Sequence, residues 1–211
     1  GAPGWSRLAR AVDTVLDRSV VIERFDDGDV GDRAIAWMTA LARVATPFVQ
    51  RALAFDRATR TAVFEAPAGA PVAAATEPAT IDDALRLLKR LARACVVIHE
   101  QGAVHGGIGA ATVVLAEATI PTVMVAGVGP RPGASAADDV AAVLAITARA
   151  LTGGDATEPA AAVIAALAAA VPAGERARLR ALPRDTGAAL YAWADALEVA
   201  HLRASAIAAA G

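Results

Sequence analysis

A segment rich in alanine, proline and glycine, residues 67–80, divides the chain into two parts with different hydrophobic patterns. The first part contains four short runs of period-two alternation or of β-branched residues, which predict strands at residues 7–13, 19–25, 48–55 and 61–65. After the second run, apolar side chains recur at helical spacing from Ala34, and Pro47 closes this helix. The first part therefore predicts a small β-rich unit with one helix.

The second part is predominantly helical. Thr80 is the expected N-cap of a long helix whose apolar face is formed by Leu85, Leu88, Leu91, Ala92 and Cys95. Beyond it we expect two short strands at residues 112–115 and 123–125, a helix at residues 136–152, and further helices from residue 157 that are broken near Pro172 and Pro183. Strands followed by helices indicate an α+β fold.

The overall composition excludes several functional classes. With 56% hydrophobic and 20% charged residues, the chain is expected to bury a core. Its 22 acidic residues outnumber its 20 basic ones and no basic run occurs, so nucleic-acid binding is not expected.

The longest apolar run, residues 160–171, is shorter than the ~20 residues that span a bilayer, so we expect no membrane insertion. Since no signal-peptide pattern occurs, we expect a cytoplasmic protein, or the cytosolic domain of a larger or membrane-attached one.

Few residues suit metal or nucleophilic chemistry. Cys95 is the only cysteine, so it forms no intrachain disulfide, and its apolar neighbours predict a small buried core residue. The histidines at positions 99, 105 and 201 lack metal-ligand spacing, and we expect His201 to be a solvated helix residue. Neither a metal nor a cofactor is predicted.

Four segments, by their order and spacing, resemble parts of the bacterial Hanks-type serine/threonine protein kinases. They correspond to the end of the Gly-rich loop with its following strand, the approach to the catalytic loop, the Asp-Phe-Gly motif and the central helix of the C-lobe, at residues 1–18, 96–105, 123–129 and 137–153. The resemblance implies a protein-kinase-like two-lobed fold with a cleft between the lobes. It assigns residues 1–66 to a small β-rich N-lobe, residues 67–80 to a hinge or linker, and residues 81–211 to a reduced helical C-lobe.

The positions that carry kinase chemistry hold unsuitable residues. By resemblance, Glu23 occupies the place of the strand lysine that anchors ATP. Gly107 stands at the catalytic base, Gly109 at the catalytic-loop lysine, Thr112 at the metal-binding asparagine and Gly127 at the metal-binding aspartate. Phosphoryl transfer depends on these charges, and loss of one such group commonly costs on the order of 10²–10³ in rate. The resemblance therefore implies a degraded pseudokinase that is not an enzyme.

The resemblance also implies structural roles for residues around this region. We expect His105 to pack within the catalytic loop, and Asp139 to brace the backbone of that loop. Trp37 is expected to fill the space left by the missing lysine–glutamate ion pair, and Trp193 to lie in the core. Residues 65–67 would form the hinge, whose backbone could contact an adenine-like group.

These expectations lead to one principal hypothesis and two alternatives. The principal hypothesis is a catalytically inactive module that regulates or scaffolds by binding another protein, such as an active kinase or a phosphopeptide-binding domain, or by forming a homodimer. One alternative is a pseudokinase that senses nucleotides without metal-dependent catalysis. The other is a kinase-like fold with altered transferase chemistry, which would still need carboxylates for metal and cations for phosphate.

Overall fold

The computed structural model describes residues 6–116 and 120–210. Its first part is an antiparallel sheet in the order β1-β2-β4-β3. The strands are β1 (Ser6–Asp13), β2 (Arg18–Phe25), β3 (Ala52–Asp56) and β4 (Thr61–Glu65), and α1 (Asp29–Leu41) connects β2 to β3. The four predicted strands and the predicted helix are present, but β3 begins at Ala52 and not at residue 48, and α1 ends at Leu41, six residues before Pro47. The end of the expected Gly-rich loop, residues 1–5, lies outside the described residues.

The second part contains a small three-stranded sheet and five further helices. The sheet has the order β5-β6-β7, with strands β5 (Ala70–Pro71), β6 (Val113–Leu115) and β7 (Pro121–Val123). The helices are α2 (Ile81–Glu100), α3 (Ala136–Thr152), α4 (Pro159–Ala168), α5 (Arg176–Arg180) and α6 (Gly187–Ala210). The fold is therefore a mixed α+β architecture with small antiparallel sheets, and the expected class is confirmed. Within the described ranges, no helix has both the length and the apolar character needed to cross a bilayer.

The segment predicted as a hinge or linker, residues 67–80, is attached to the rest of the second part. Ala70 and Pro71 pair with β6, and a short 3-10 helix, Val72–Ala74, follows. The N–H of Ala79 donates to the carbonyl of Ala150 in α3 at 2.7 Å. Backbone hydrogen bonds therefore hold this segment at both ends.

Local side-chain caps define where the two long helices of the second part begin. The Thr80 hydroxyl accepts the N–H of Asp83 at the start of α2, as predicted. At the start of α3, the Ser135 hydroxyl accepts the N–H of Asp138, whose carboxylate accepts the N–H of Ser135 in return. Gly153 then ends α3 in the left-handed conformation, with φ 73°. The predicted bounds of α3, residues 136–152, are confirmed.

Helix α2 is the centre of the hydrophobic core, between α3 and α6. Its predicted apolar face is buried, and Cys95 lies in it as a core residue whose thiol pKa is raised by burial. Trp193 of α6 is also buried, and its indole N–H donates to the carbonyl of Arg178 at 2.8 Å. The core predictions for Cys95 and Trp193 are therefore confirmed.

The prediction that His201 is solvated is wrong. Its side chain is only 14% exposed. The two ring nitrogens lie 2.5 Å from a carboxylate oxygen of Asp82 and 3.1 Å from the carbonyl of Ala170. His201 thus joins the last helix to the start of α2 and to the segment after α4. These partners are far apart in sequence, and helical periodicity alone gave no indication of them.

Helices α2 and α6 are in close contact at Gly187. A Cβ atom at this position would lie 2.7 Å from Cβ of Cys95 and 2.9 Å from the backbone of Val96. We expect Gly187→Ala to lower the free energy of unfolding by about 1–3 kcal/mol, because two packed helices would have to separate. Urea denaturation measures this change.

Gly174→Ala is the matched control, since a Cβ at Gly174 would have nothing within 4 Å. Its free energy of unfolding should stay within about 0.5 kcal/mol of the wild type. Equal effects of the two substitutions would show that α2 and α6 are not packed as described.

Candidate functional site

A buried carboxylate on α3 holds the loop that follows α2. Asp139 is 1% exposed, and its Oδ2 atom accepts the N–H of His105 at 2.9 Å. The same oxygen lies 3.0 Å from Nε2 of His99, while Oδ1 accepts the N–H of Gly106 at 2.8 Å. Three donors therefore converge on one carboxylate, and the expectation that Asp139 braces this loop backbone is confirmed.

His105 is fully buried, and both of its ring nitrogens are used within the fold. Nε2 donates to the carbonyl of Met124 at 2.8 Å, and Nδ1 accepts the N–H of Gly107 at 3.2 Å. Since these partners require one proton on the ring, the imidazole is neutral, in agreement with burial, which lowers its pKa. Neither nitrogen remains for acid–base chemistry, so His105 has the structural role that was expected.

Trp37 connects α1 to the same loop. Its indole N–H donates to the carbonyl of Val104 at 3.0 Å. Its ring meets the imidazole of His105 edge to face, with centroids 5.5 Å apart and planes at 74°. One side chain thus fixes α1, which belongs to the first part of the fold, against the loop of the second part.

Glu23 is a second buried carboxylate, and it joins the first sheet to the segment after β7. It is 1% exposed on β2. The Ser6 hydroxyl donates to Oε1 at 2.6 Å, and the N–H of Gly127 donates to Oε2 at 3.1 Å. Burial raises the pKa of the Glu23 carboxyl, although these two hydrogen bonds partly oppose the shift. Positions 23 and 127, which are 104 residues apart, are therefore in direct contact.

The predicted site positions 107, 109, 112 and 127 are each partly exposed, and close neighbours leave no room for a side chain at positions 107 and 127. The Thr112 hydroxyl donates to the carbonyl of Gly107 at 2.7 Å and lies 3.2 Å from that of Gly109. A Cβ at Gly107 would lie 2.2 Å from Cγ1 of Val128, and one at Gly127 would lie 2.5 Å from Cδ1 of Leu8. The structure thus brings these positions together with Glu23 in one region, but Val128 and Leu8 occupy the space that larger side chains would need.

Gln50, which no sequence pattern indicated as a site residue, links three segments near this region. Its Oε1 atom accepts the N–H groups of Val125 and Ala126 at 2.9 and 2.8 Å. Its Nε2 atom donates to the carbonyl of Glu65 at 2.9 Å. Gln50 is 3% exposed. The only sequence signal was a polar residue within an apolar predicted strand, and this signal does not identify the partners.

The backbone donors of the expected hinge are used within the fold. The N–H of Glu65 donates to the carbonyl of Arg51 at 3.0 Å, and the N–H of Ala66 donates to that of Ser19 at 3.2 Å. Pro67 has no N–H to offer. Residues 65–67 therefore present no free backbone donor to a ligand.

This region of the described chain contains neither a lysine nor a metal-binding cluster, although Arg131 lies beside Gly106. Lys89, the only lysine of the sequence, bonds Asp195 and Glu198 on α6 at 2.6 and 2.7 Å, and these contacts raise its pKa. Across residues 6–116 and 120–210, no group of three or more His, Cys, Asp or Glu side chains is placed to hold a metal ion. The two buried carboxylates, Glu23 and Asp139, are both engaged by protein donors.

No family model matches the chain, and no curated protein matches it. Its family is therefore not shown by comparison.

The pH dependence of stability tests the environment of Glu23. Because burial raises its folded-state pKa above the ordinary value of 4.5, the folded protein holds this proton more tightly than the unfolded chain. The stability that Glu23 contributes is therefore present below about pH 4.5 and is lost as the pH rises through the folded-state pKa. We expect the free energy of unfolding of the wild type, minus that of Glu23→Gln, to decrease over this range in urea denaturation.

Asp56→Asn gives a control of opposite sign. A hydrogen bond from the Thr59 hydroxyl lowers the pKa of Asp56, so the corresponding difference should increase with pH through the acid range. If the free energy of unfolding of the wild type, minus that of Glu23→Gln, stays constant or rises with pH, the burial of the Glu23 carboxyl is contradicted.

Substitution of Asp139 tests the loop anchor. Asp139→Asn replaces an acceptor by an amide that faces a backbone N–H, so we expect a loss of about 1–3 kcal/mol in stability. Hydrogen exchange should become faster at the amides of His105 and Gly106. Asp138→Asn is the control, because Asp138 is exposed and bonds only with Ser135. Unchanged exchange at both His105 and Gly106 in Asp139→Asn would refute the anchor.

Proposed function

We propose that this chain is a pseudokinase, a kinase-like two-lobed domain that performs no phosphoryl transfer and acts by binding another protein. The main observation behind the proposal is the burial and hydrogen bonding of the Glu23 carboxylate. By resemblance it stands where kinases have the lysine that anchors ATP, and its carboxylate is buried and bonded to Ser6 and Gly127. A fixed negative charge at this position repels a triphosphate.

The contacts around the loop support a kinase-like framework. Asp139 bonds the backbone of His105 and Gly106, and Trp37 connects α1 to the same loop. In the proposed assignment these contacts hold the catalytic loop and the N-lobe helix in place. The loop itself has glycine where phosphoryl transfer needs an acid, so the framework is maintained without its chemistry. A fold maintained in this way most simply serves recognition, which is an inference from fold.

Contacts at the proposed hinge weigh against nucleotide sensing. An adenine ring needs a backbone donor there, and the N–H groups of Glu65 and Ala66 already donate within the fold. Altered transferase chemistry finds no support in the donor set either, because Lys89 is bound to α6. Protein binding is therefore the function that we favour over both alternatives.

Thermal denaturation with nucleotide tests the proposal. We expect ATP, with Mg²⁺ or Mn²⁺, to leave the melting temperature unchanged, because the cleft lacks the cation and acids that hold a metal–triphosphate. A ligand at 100 times its Kd would stabilise the fold by about 2.7 kcal/mol, which this measurement detects readily. Titration with the metal ion alone is the control. A saturable shift that requires both ATP and metal would refute the proposal.

Affinity purification with the full chain as bait tests whether the chain binds another protein. A recovered partner should bind the purified chain saturably in calorimetry, and sedimentation should reveal a homodimer if the partner is a second copy. Recovery of no specific partner, together with a monomer at all concentrations, would count against a binding role.

A further inference from the structure

Two arginines lie directly opposite each other on the first sheet. In the antiparallel pairing of β1 with β2, Arg7 is the partner of Arg24, and both side chains are exposed. Directly opposed residues have Cβ atoms about 4.5–5.5 Å apart, and like charges in such a pair are unfavourable. The arrangement therefore needs a compensating negative charge.

The described protein does not supply this charge. No ion pair or side-chain hydrogen bond within residues 6–116 and 120–210 includes Arg7 or Arg24. The neighbouring Arg60 differs in this respect. It bonds Asp32 at 2.8 Å, pairs with Asp27 at 3.5 Å and donates to the carbonyl of Asp26 at 2.8 Å. Asp32 and Asp27 thus pair with Arg60, and the carboxylates of Asp26 and Asp27, which line the same surface, are not bonded to Arg7 or Arg24.

The opposed arginines open onto a pocket of suitable size. Its volume is about 360 Å³, within the range of ~300–1,000 Å³ that is typical of small-ligand sites. The remaining walls come from the end of β2 and from the turn between β3 and β4: Phe25, Asp26, Asp27, Ala58, Thr59 and Arg60. A small anion can therefore approach both guanidinium groups at once.

We propose that Arg7 and Arg24 bind a phosphate dianion, either the monoester of a phosphorylated protein side chain or free inorganic phosphate. Each guanidinium presents parallel N–H donors that match two oxygens of such a group. A phosphate monoester has three acceptor oxygens and nearly two negative charges, so it can satisfy both arginines. A carboxylate has one charge and two oxygens, and one arginine suffices for it.

This site is separate from the proposed pseudokinase cleft. Successive residues of a strand point to opposite faces of a sheet, so Arg24 lies on the face opposite its neighbour Glu23. If phosphate does not bind at Arg7 and Arg24, the proposed function is unaffected. If the proposed function is refuted, the phosphate site is equally unaffected.

Isothermal titration calorimetry tests the site with two probes: inorganic phosphate, and a glycine-flanked phosphoserine peptide beside its unphosphorylated form. We expect saturable binding of at least one phosphate probe and none of the unphosphorylated peptide. Arg7→Ala and Arg24→Ala should each weaken binding by about tenfold or more. Arg10→Ala is the matched control, because Arg10 is exposed on β1 but lies opposite Val21, and it should change the Kd by less than about twofold.

Arg7→Glu separates binding from folding. It places a carboxylate opposite Arg24, so the melting temperature without phosphate should rise while phosphate binding is lost. Tighter binding of the phosphopeptide than of phosphate identifies a phosphorylated protein as the source, and equal binding identifies the free anion. No saturable binding of either probe, or equal binding by Arg7→Ala and the wild type, would overturn the proposal.

Discussion

The buried carboxylate of Glu23 joins two parts of the chain that are distant in sequence. It lies on β2 and accepts hydrogen bonds from Ser6 on β1 and from Gly127 after β7. Burial of a charge is unfavourable unless protein donors replace water, and these two donors perform that role. Gly127 also lies close to Leu8 of β1, since a Cβ at position 127 would be 2.5 Å from Cδ1 of Leu8. The contact between Glu23 and Gly127 therefore fixes the position of Gly127 and places a carboxylate next to it.

Asp139, the second buried carboxylate, holds the backbone of the loop after α2 in place. It bonds two successive backbone N–H groups and His99, while Trp37 adds a contact from α1. Buried, fully satisfied polar networks of this kind fix one conformation. The loop is consequently rigid although it contains three glycines between residues 105 and 109.

Much of the fold could be predicted because its signals are local. The caps at Thr80 and Ser135, the apolar face of α2 and the strand runs each depend on residues a few positions apart. The contacts of Gln50 and His201 span 15 to 119 residues, and no local pattern encodes them. The resemblance indicates the positions of Glu23, Gly107, Gly109, Thr112 and Gly127. The close approach of Val128 to Gly107 and of Leu8 to Gly127 depends on packing that the sequence does not reveal.

A crystal structure grown with excess ATP and Mg²⁺ tests the central claim most directly. The account predicts that the region between the first sheet and α2 contains no nucleotide, and that Glu23 still accepts the N–H of Gly127. An ordered metal–nucleotide complex in that region, with Glu23 displaced from Gly127, would contradict it.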